Sequence, residues 1–101
     1  MDYNKILNEA AMAGNQAQKD IPDGFPCGGA YTVVKPARGK FYAYCKANNL
    51  CRPHYQGGFT VDYPVNSDGK QNMYAREAAE EAFAETLRKY GINAIVISYI
   101  D

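Results

Sequence analysis

Between Met73 and Tyr90 the residues Ala75, Ala79, Ala82, Phe83, Thr86, Leu87 and Tyr90 fall on one helical stripe. Gly91 follows where a left-handed helix end belongs, and Ile92 stands beyond it as the usual apolar contact. This is the strongest constraint in the chain: a helix apolar along one face is stable only if another layer receives that face. The spacing predicts a helix from about Met73 to Tyr90, with Glu77, Glu81 and Glu85 on its wet side and Lys89 within reach of Glu85. Glu77, Glu81 and Glu85, with Glu80, form an acidic stripe. It reads either as a solvated helix face or as a surface that meets another protein, in imitation of nucleic-acid charge.

The receiving layer is a sheet. Ala94-Ile95-Val96-Ile97 is apolar on successive positions, which predicts a central strand covered on both faces. Gly57 to Val65 alternates, with Phe59, Val61, Tyr63 and Val65 on one face and Thr60, Asp62 and Pro64 on the other, as a strand with one wet face does. Ala30 to Lys35 is a third strand on β-branched and aromatic grounds. Gly28-Gly29 and Gly57-Gly58 precede strands rather than helices, the reverse of a phosphate loop, and read as tight backbone turns.

Two further helices are expected. Residues 3 to about 18 carry Tyr3, Ile6, Leu7, Ala10, Ala13, Gly14 and Ala17 at helical spacing behind a capping Asp2, and the small residues let another element approach closely, within the chain or in a dimer. Val33 to Phe41 reads as a strand-to-helix corner, with Pro36 at the first helical position. Phe41, Tyr44, Cys45 and Asn48 extend that helix over 37 to 48, and Asn48-Asn49 supplies its exit. The rival is a hairpin that turns at 37 to 40 and returns through Phe41-Tyr42-Ala43-Tyr44; helix is preferred because Pro36 and the spacing agree. Residues 20 to 29, 50 to 56 and 66 to 70 read as loops and turns. The fold class is α+β, a small single domain ordered α-β-α-β-α-β, with helices packed on a three-stranded sheet and parallel pairing allowed by the helical crossovers.

Charge is unevenly distributed. The 101 residues sum to zero, yet residues 24 to 61 hold Lys35, Arg38, Lys40, Lys46 and Arg52 with no acid, while the flanking segments are net acidic. An anionic ligand would find cations and outward-facing backbone N–H groups at the corner formed by Lys35, Arg38 and Lys40. Arg52, His54 and Tyr55 on the following loop would add a guanidinium fork and a ring for stacking. The competing reading is that the bases of this segment pair with the acids of the C-terminal helix across the fold, that Arg38 pairs with an acid, and that Tyr55 fills the rim of the core.

Other chemistries are weaker. Cys27, Cys45, Cys51 and His54 match no standard zinc spacing, and Cys45 falls on an apolar helical face, so no metal and no cofactor is expected. A Cys–His nucleophile pair lacks any loop signature, and no catalytic residue is assigned. An odd number of cysteines, no apolar run of membrane-spanning length and no charged segment leading an apolar one predict a soluble intracellular protein.

The whole chain resembles a family of small, mostly uncharacterised proteins encoded in phages and prophages. The resemblance rests on Cys27-Gly28, the run Pro36-Ala37-Arg38-Gly39-Lys40-Phe41, Gly57-Gly58, Gln71, the Ala-rich last helix, Gly91-Ile92 and Asp101. It implies an accessory protein of the bacterial cytoplasm and brings no site residues with it. Small phage proteins of this kind act by binding, as traps for signalling nucleotides or inhibitors of host defence. The sequence reading is therefore a non-enzymatic protein that binds a nucleotide or nucleic acid at the corner, with a host-protein inhibitor, a virion component and a homo-oligomer as alternatives.

Overall fold

The structure is a computed structural model that describes residues 1–65 and 70–100. Seven elements follow in order: α1 (Tyr3–Gln18), β1 (Gly28–Val34), α2 (Lys40–Ala47), β2 (Cys51–Pro53), β3 (Phe59–Val61), α3 (Met73–Lys89) and β4 (Ala94–Ile100). The strands form one four-stranded sheet in the order β2-β3-β1-β4, antiparallel throughout. Among the described residues no helix is long and apolar enough to cross a membrane.

Side-chain caps start α1 and α3. Asp2 caps α1 by accepting the Lys5 N–H at 3.1 Å, and Asn72 caps α3 by accepting the N–H groups of Tyr74 and Ala75. At the far end of α3 the N–H of Ile92 reaches the Leu87 carbonyl and that of Gly91 the Arg88 carbonyl. Gly91 sits at φ +83°, so the glycine stop predicted from sequence is built as a paired left-handed cap. Asn49, at φ +57°, gives α2 its expected left-handed exit.

The core lies between one sheet face and the helices. Leu7, Phe59, Phe83 and Leu87 are almost wholly buried and join Val34, Phe41, Cys45 and Val61 in one cluster. Gly14 lets α1 and α3 meet closely, because a Cβ there would collide with the Ala79 carbonyl and the Val65 side chain. Lys70 ties the layers at the end of α1 by donating to the carbonyls of Gln18 at 2.8 Å and Ile21 at 2.7 Å. Asp23 accepts the N–H groups of Gln71 and Asn72, and those bonds lower its pKa.

Several expectations are corrected. The sheet has four strands rather than three, because Cys51–Pro53, expected as loop, pairs with Phe59–Val61 as a short hairpin. The second strand is only Phe59–Val61, short of the expected Gly57 to Val65. β4 is not central: it occupies the sheet edge, and its apolar run reflects one face against α3 and the other partly open, with Ile95 and Tyr99 each 45% exposed. Helix is right over hairpin for the segment after the corner, but α2 begins at Lys40, not at Ala37. Gly39, at φ +95°, interrupts the chain before it, so Pro36 lies in a loop and not at a first helical position. Gly28 and Gly29 lie inside β1, where a Cβ would strike the Tyr99 carbonyl and the Tyr99 ring respectively, so they serve close approach rather than a turn. Lys89 pairs with Glu9 at 2.7 Å instead of with Glu85. The turn expected at 66 to 70 falls, except for Lys70, outside the described residues.

Gly14→Ala should destabilise the protein by about 1–2 kcal/mol in urea or thermal unfolding. The added methyl overpacks the α1–α3 contact, which outweighs the roughly 1 kcal/mol that alanine contributes to helix propensity.

Candidate functional site

Five of the six residues predicted to hold a ligand divide between two clefts, and the sixth, Tyr55, lies in neither. Lys35, Arg38 and Lys40 line one of about 400 Å³, together with Pro36, Phe41, Tyr42, Phe59, Tyr90, Ile92 and Asn93. Arg52 and His54 line another of about 590 Å³, with Tyr31, Asp62, Arg76, Glu80 and Tyr99 among its walls. Tyr55 is 85% exposed and packs against the His54 ring with centroids 4.7 Å apart, in neither cleft.

The first cleft follows from how the chain leaves β1. The Lys35 N–H donates to the Asn93 carbonyl at 3.2 Å, which binds the end of β1 to the segment that leaves α3. Residues 36 to 39 then loop outward, and the chain is pinned again where Phe41 enters the core between Tyr3 at 5.3 Å and Phe59 at 6.0 Å. Tyr42 lies 5.0 Å from the Phe59 ring. Lys35, Arg38 and Lys40 all stay exposed at the rim of this aromatic floor, and no carboxylate lines the cleft. None of the three forms an ion pair among the described residues, whose salt bridges are Arg52–Asp62, Arg88–Glu81 and Lys89–Glu9. Arg38 pairs with no acid among the described residues, whereas Arg52 pairs at 3.6 Å with Asp62, an acid outside the C-terminal helix.

The second cleft exists because β3 is short. Beyond Val61 the chain leaves β1, and the opening is filled from α3 by Glu80, which accepts the Thr32 hydroxyl at 3.0 Å. Burial pushes the Glu80 carboxyl up to about 7, against the downward pull of the Thr32 hydrogen bonds and of Arg76. Across the cleft Tyr31 Oη and His54 Nε2 are 3.3 Å apart. The Gln56 N–H donates to Nδ1 at 3.4 Å, which assigns the ring proton to Nε2 and makes Tyr31 Oη the acceptor. The lining is mixed in charge, with Arg52 and Arg76 facing Asp62 and Glu80.

Sequence reading missed Glu80, which it placed in the acidic stripe on the wet side of the helix. The signal was a second helical row: Met73, Glu77, Glu80 and Ala84 lie beside the alanine stripe and meet it at Leu87, and Glu77 and Glu80 reach the sheet at Ser98 and Thr32. It also missed Tyr31, Tyr42 and Arg76, whose roles depend on strand order. The three cysteines are free thiols. Cys45 is buried in the core, with its pKa raised to about 12 by desolvation, and among the described residues no three metal-ligating side chains gather.

Comparison with protein-family models, with curated proteins and with solved structures finds no match for this chain.

Glu80 gives stability a pH dependence of definite sign. Its folded pKa of about 7 stands above the ordinary 4.5, so between those values the folded chain holds a proton that the unfolded chain has lost. Its contribution is complete below about pH 4.5 and declines as pH rises through about 7, by on the order of 3 kcal/mol. Urea unfolding from pH 5 to 8.5 should show this decline in the wild type. Glu80→Gln should remove it and be the more stable protein at pH 8.

Proposed function

We propose that this protein acts by binding, without catalysis, and that its ligand is an anion of the nucleotide or nucleic-acid class held at the Lys35–Lys40 corner. One observation carries the reading: among the described residues Lys35, Arg38 and Lys40 stand without carboxylate partners around a cleft whose walls are aromatic and which no acid lines. Cations left unpaired by their own fold create a field that an anion neutralises, and Arg38 adds a planar fork suited to phosphate oxygens. Tyr42 offers a ring for a base to stack on. The resemblance to small phage accessory proteins agrees with a binding role in a bacterial cell.

The ligand set is narrower than sequence alone suggests. Arg52 is engaged by Asp62 and opens, with His54, into the mixed-charge cleft, so both are left out of the proposed anion site, as is Tyr55.

A screen of linear and cyclic nucleotides and short DNA and RNA by thermal shift tests this. A ligand at a hundredfold excess over its dissociation constant stabilises the protein by about 2.7 kcal/mol. The expected result is a shift with one nucleotide class that weakens as salt rises, is lost in Arg38→Ala and persists in Arg52→Ala. A shift that survives Arg38→Ala and Lys40→Ala together, or none with any anion, refutes the site.

A further inference from the structure

β4 is an edge strand without the devices that usually protect one. Ala94 to Ile100 contains no charged residue, no proline and no glycine, and it runs straight along β1 for seven residues with no bulge. Its outward hydrogen-bonding groups can be assigned. The Lys35 N–H points to Asn93 on the β4 side, while the Gly28 N–H points away from it to Gln71, so the odd-numbered residues of β1 serve β4. In the register Tyr31↔Ile97 and Val33↔Ile95, the odd residues of β4 therefore face β1, and Ala94, Val96, Ser98 and Ile100 direct their N–H and C=O groups to the free edge. Arg88 confirms the direction: its guanidinium donates to the Ala94 carbonyl at 2.8 Å and closes that end. Among the described residues Val96 and Ser98 have no outward backbone partner.

The two sides of this edge differ in chemistry. On the helix side stand Glu77, which accepts the Ser98 hydroxyl at 2.7 Å, and the exposed Glu81, which reaches Arg88 at 3.8 Å. On the other face Ile95, Ile97 and Tyr99 form an apolar row with no helix over it. A strand added beside β4 would place the side chains opposite Val96 and Ser98 next to the two glutamates, and the side chain between them next to the apolar row.

We infer that the free edge of β4 is a docking site for an extended peptide segment that alternates basic and apolar residues, added antiparallel or parallel as a fifth strand. Main-chain pairing at Val96 and Ser98 supplies affinity, and Glu77 and Glu81 select Lys or Arg. A second copy of this chain fits poorly. Because α3 runs antiparallel to β4, with Glu77 beside Ser98 and Arg88 beside Ala94, Glu81 stands near the strand's middle. Symmetric pairing there would bring Glu81 toward its own copy, like charge to like.

The test uses the full chain and the blocked peptide (Lys-Val)3-Lys, with (Glu-Val)3-Glu as control, followed by amide hydrogen exchange. In the free protein Ile95, Ile97 and Tyr99 should be protected, and Val96 and Ser98 should exchange at least tenfold faster. The lysine peptide should slow Val96 and Ser98 at least tenfold and the glutamate peptide should not. Glu77→Lys with Glu81→Lys should weaken binding at least tenfold while leaving the free protein's exchange pattern intact; Arg38→Ala should leave it unchanged. Ser98→Pro, which removes an outward N–H, should abolish it. Equal binding of both peptides, or no protection of Val96 and Ser98 by the lysine peptide, overturns the proposal. So does protection that grows with protein concentration alone and accompanies a dimer mass.

Discussion

The contact between α1 and α3 at Gly14 is the interaction on which the rest of the arrangement depends. It joins the two long helices into one layer, so that Leu7 and Ile6 share a core with Phe83, Leu87 and the sheet residues Val34, Phe59 and Val61. A single helix over the sheet could not close this core, because α3 turns one face to β1 and β4 and must bury its alanine stripe elsewhere. Polar ties at both ends hold the layer in register: Lys70 on the carbonyls that end α1, and Glu9 against Lys89 and Tyr90 at the other end. With both long helices on one side, Ile95 and Tyr99 on the opposite sheet face stay half exposed and β4 is left as an edge strand.

That asymmetry also distributes the charge. The corner with Lys35, Arg38 and Lys40 stands at the end of β1 that pairs with Ala94, whereas Glu77 stands toward the opposite end of β4, beside Ser98. Cations and acids adjacent in a folded chain neutralise one another, and separation of this kind leaves each end of the sheet with a field of its own sign. The cleft at Glu80 is different. Its acids and bases are interleaved, and its buried carboxyl is held near neutrality by desolvation, which affects pH-dependent stability before any ligand is considered.

Much of the architecture was legible because it is local. Asp2, Gly91 and the alanine stripes act within a few residues of themselves, and the helices they predict are present nearly to the residue. What was not legible depends on pairing between distant segments. Ala94–Ile97 looks buried on both faces because Ile95 and Ile97 are apolar, and nothing in the strand itself tells an open apolar face from a covered one. Cys51–Pro53 carries no alternation and becomes a strand only through Phe59–Val61. At the candidate site the sequence grouped cations by nearness along the chain. Lys35, Arg38 and Lys40 stay together because one loop carries them, and Arg52 is separated because the β2–β3 hairpin carries it to the other cleft.

The proposed anion site is the corner cleft rather than the cleft at Glu80. Isotope-labelled protein titrated with ATP and with pyrophosphate, followed by backbone amide shifts, separates the two. Binding at the corner gives saturable shifts confined to Val34 through Phe41 and Gly91 through Asn93, with Tyr42 moving for ATP and not for pyrophosphate. Saturable shifts at Tyr31, Arg52 and His54 with the corner unmoved would overturn the site.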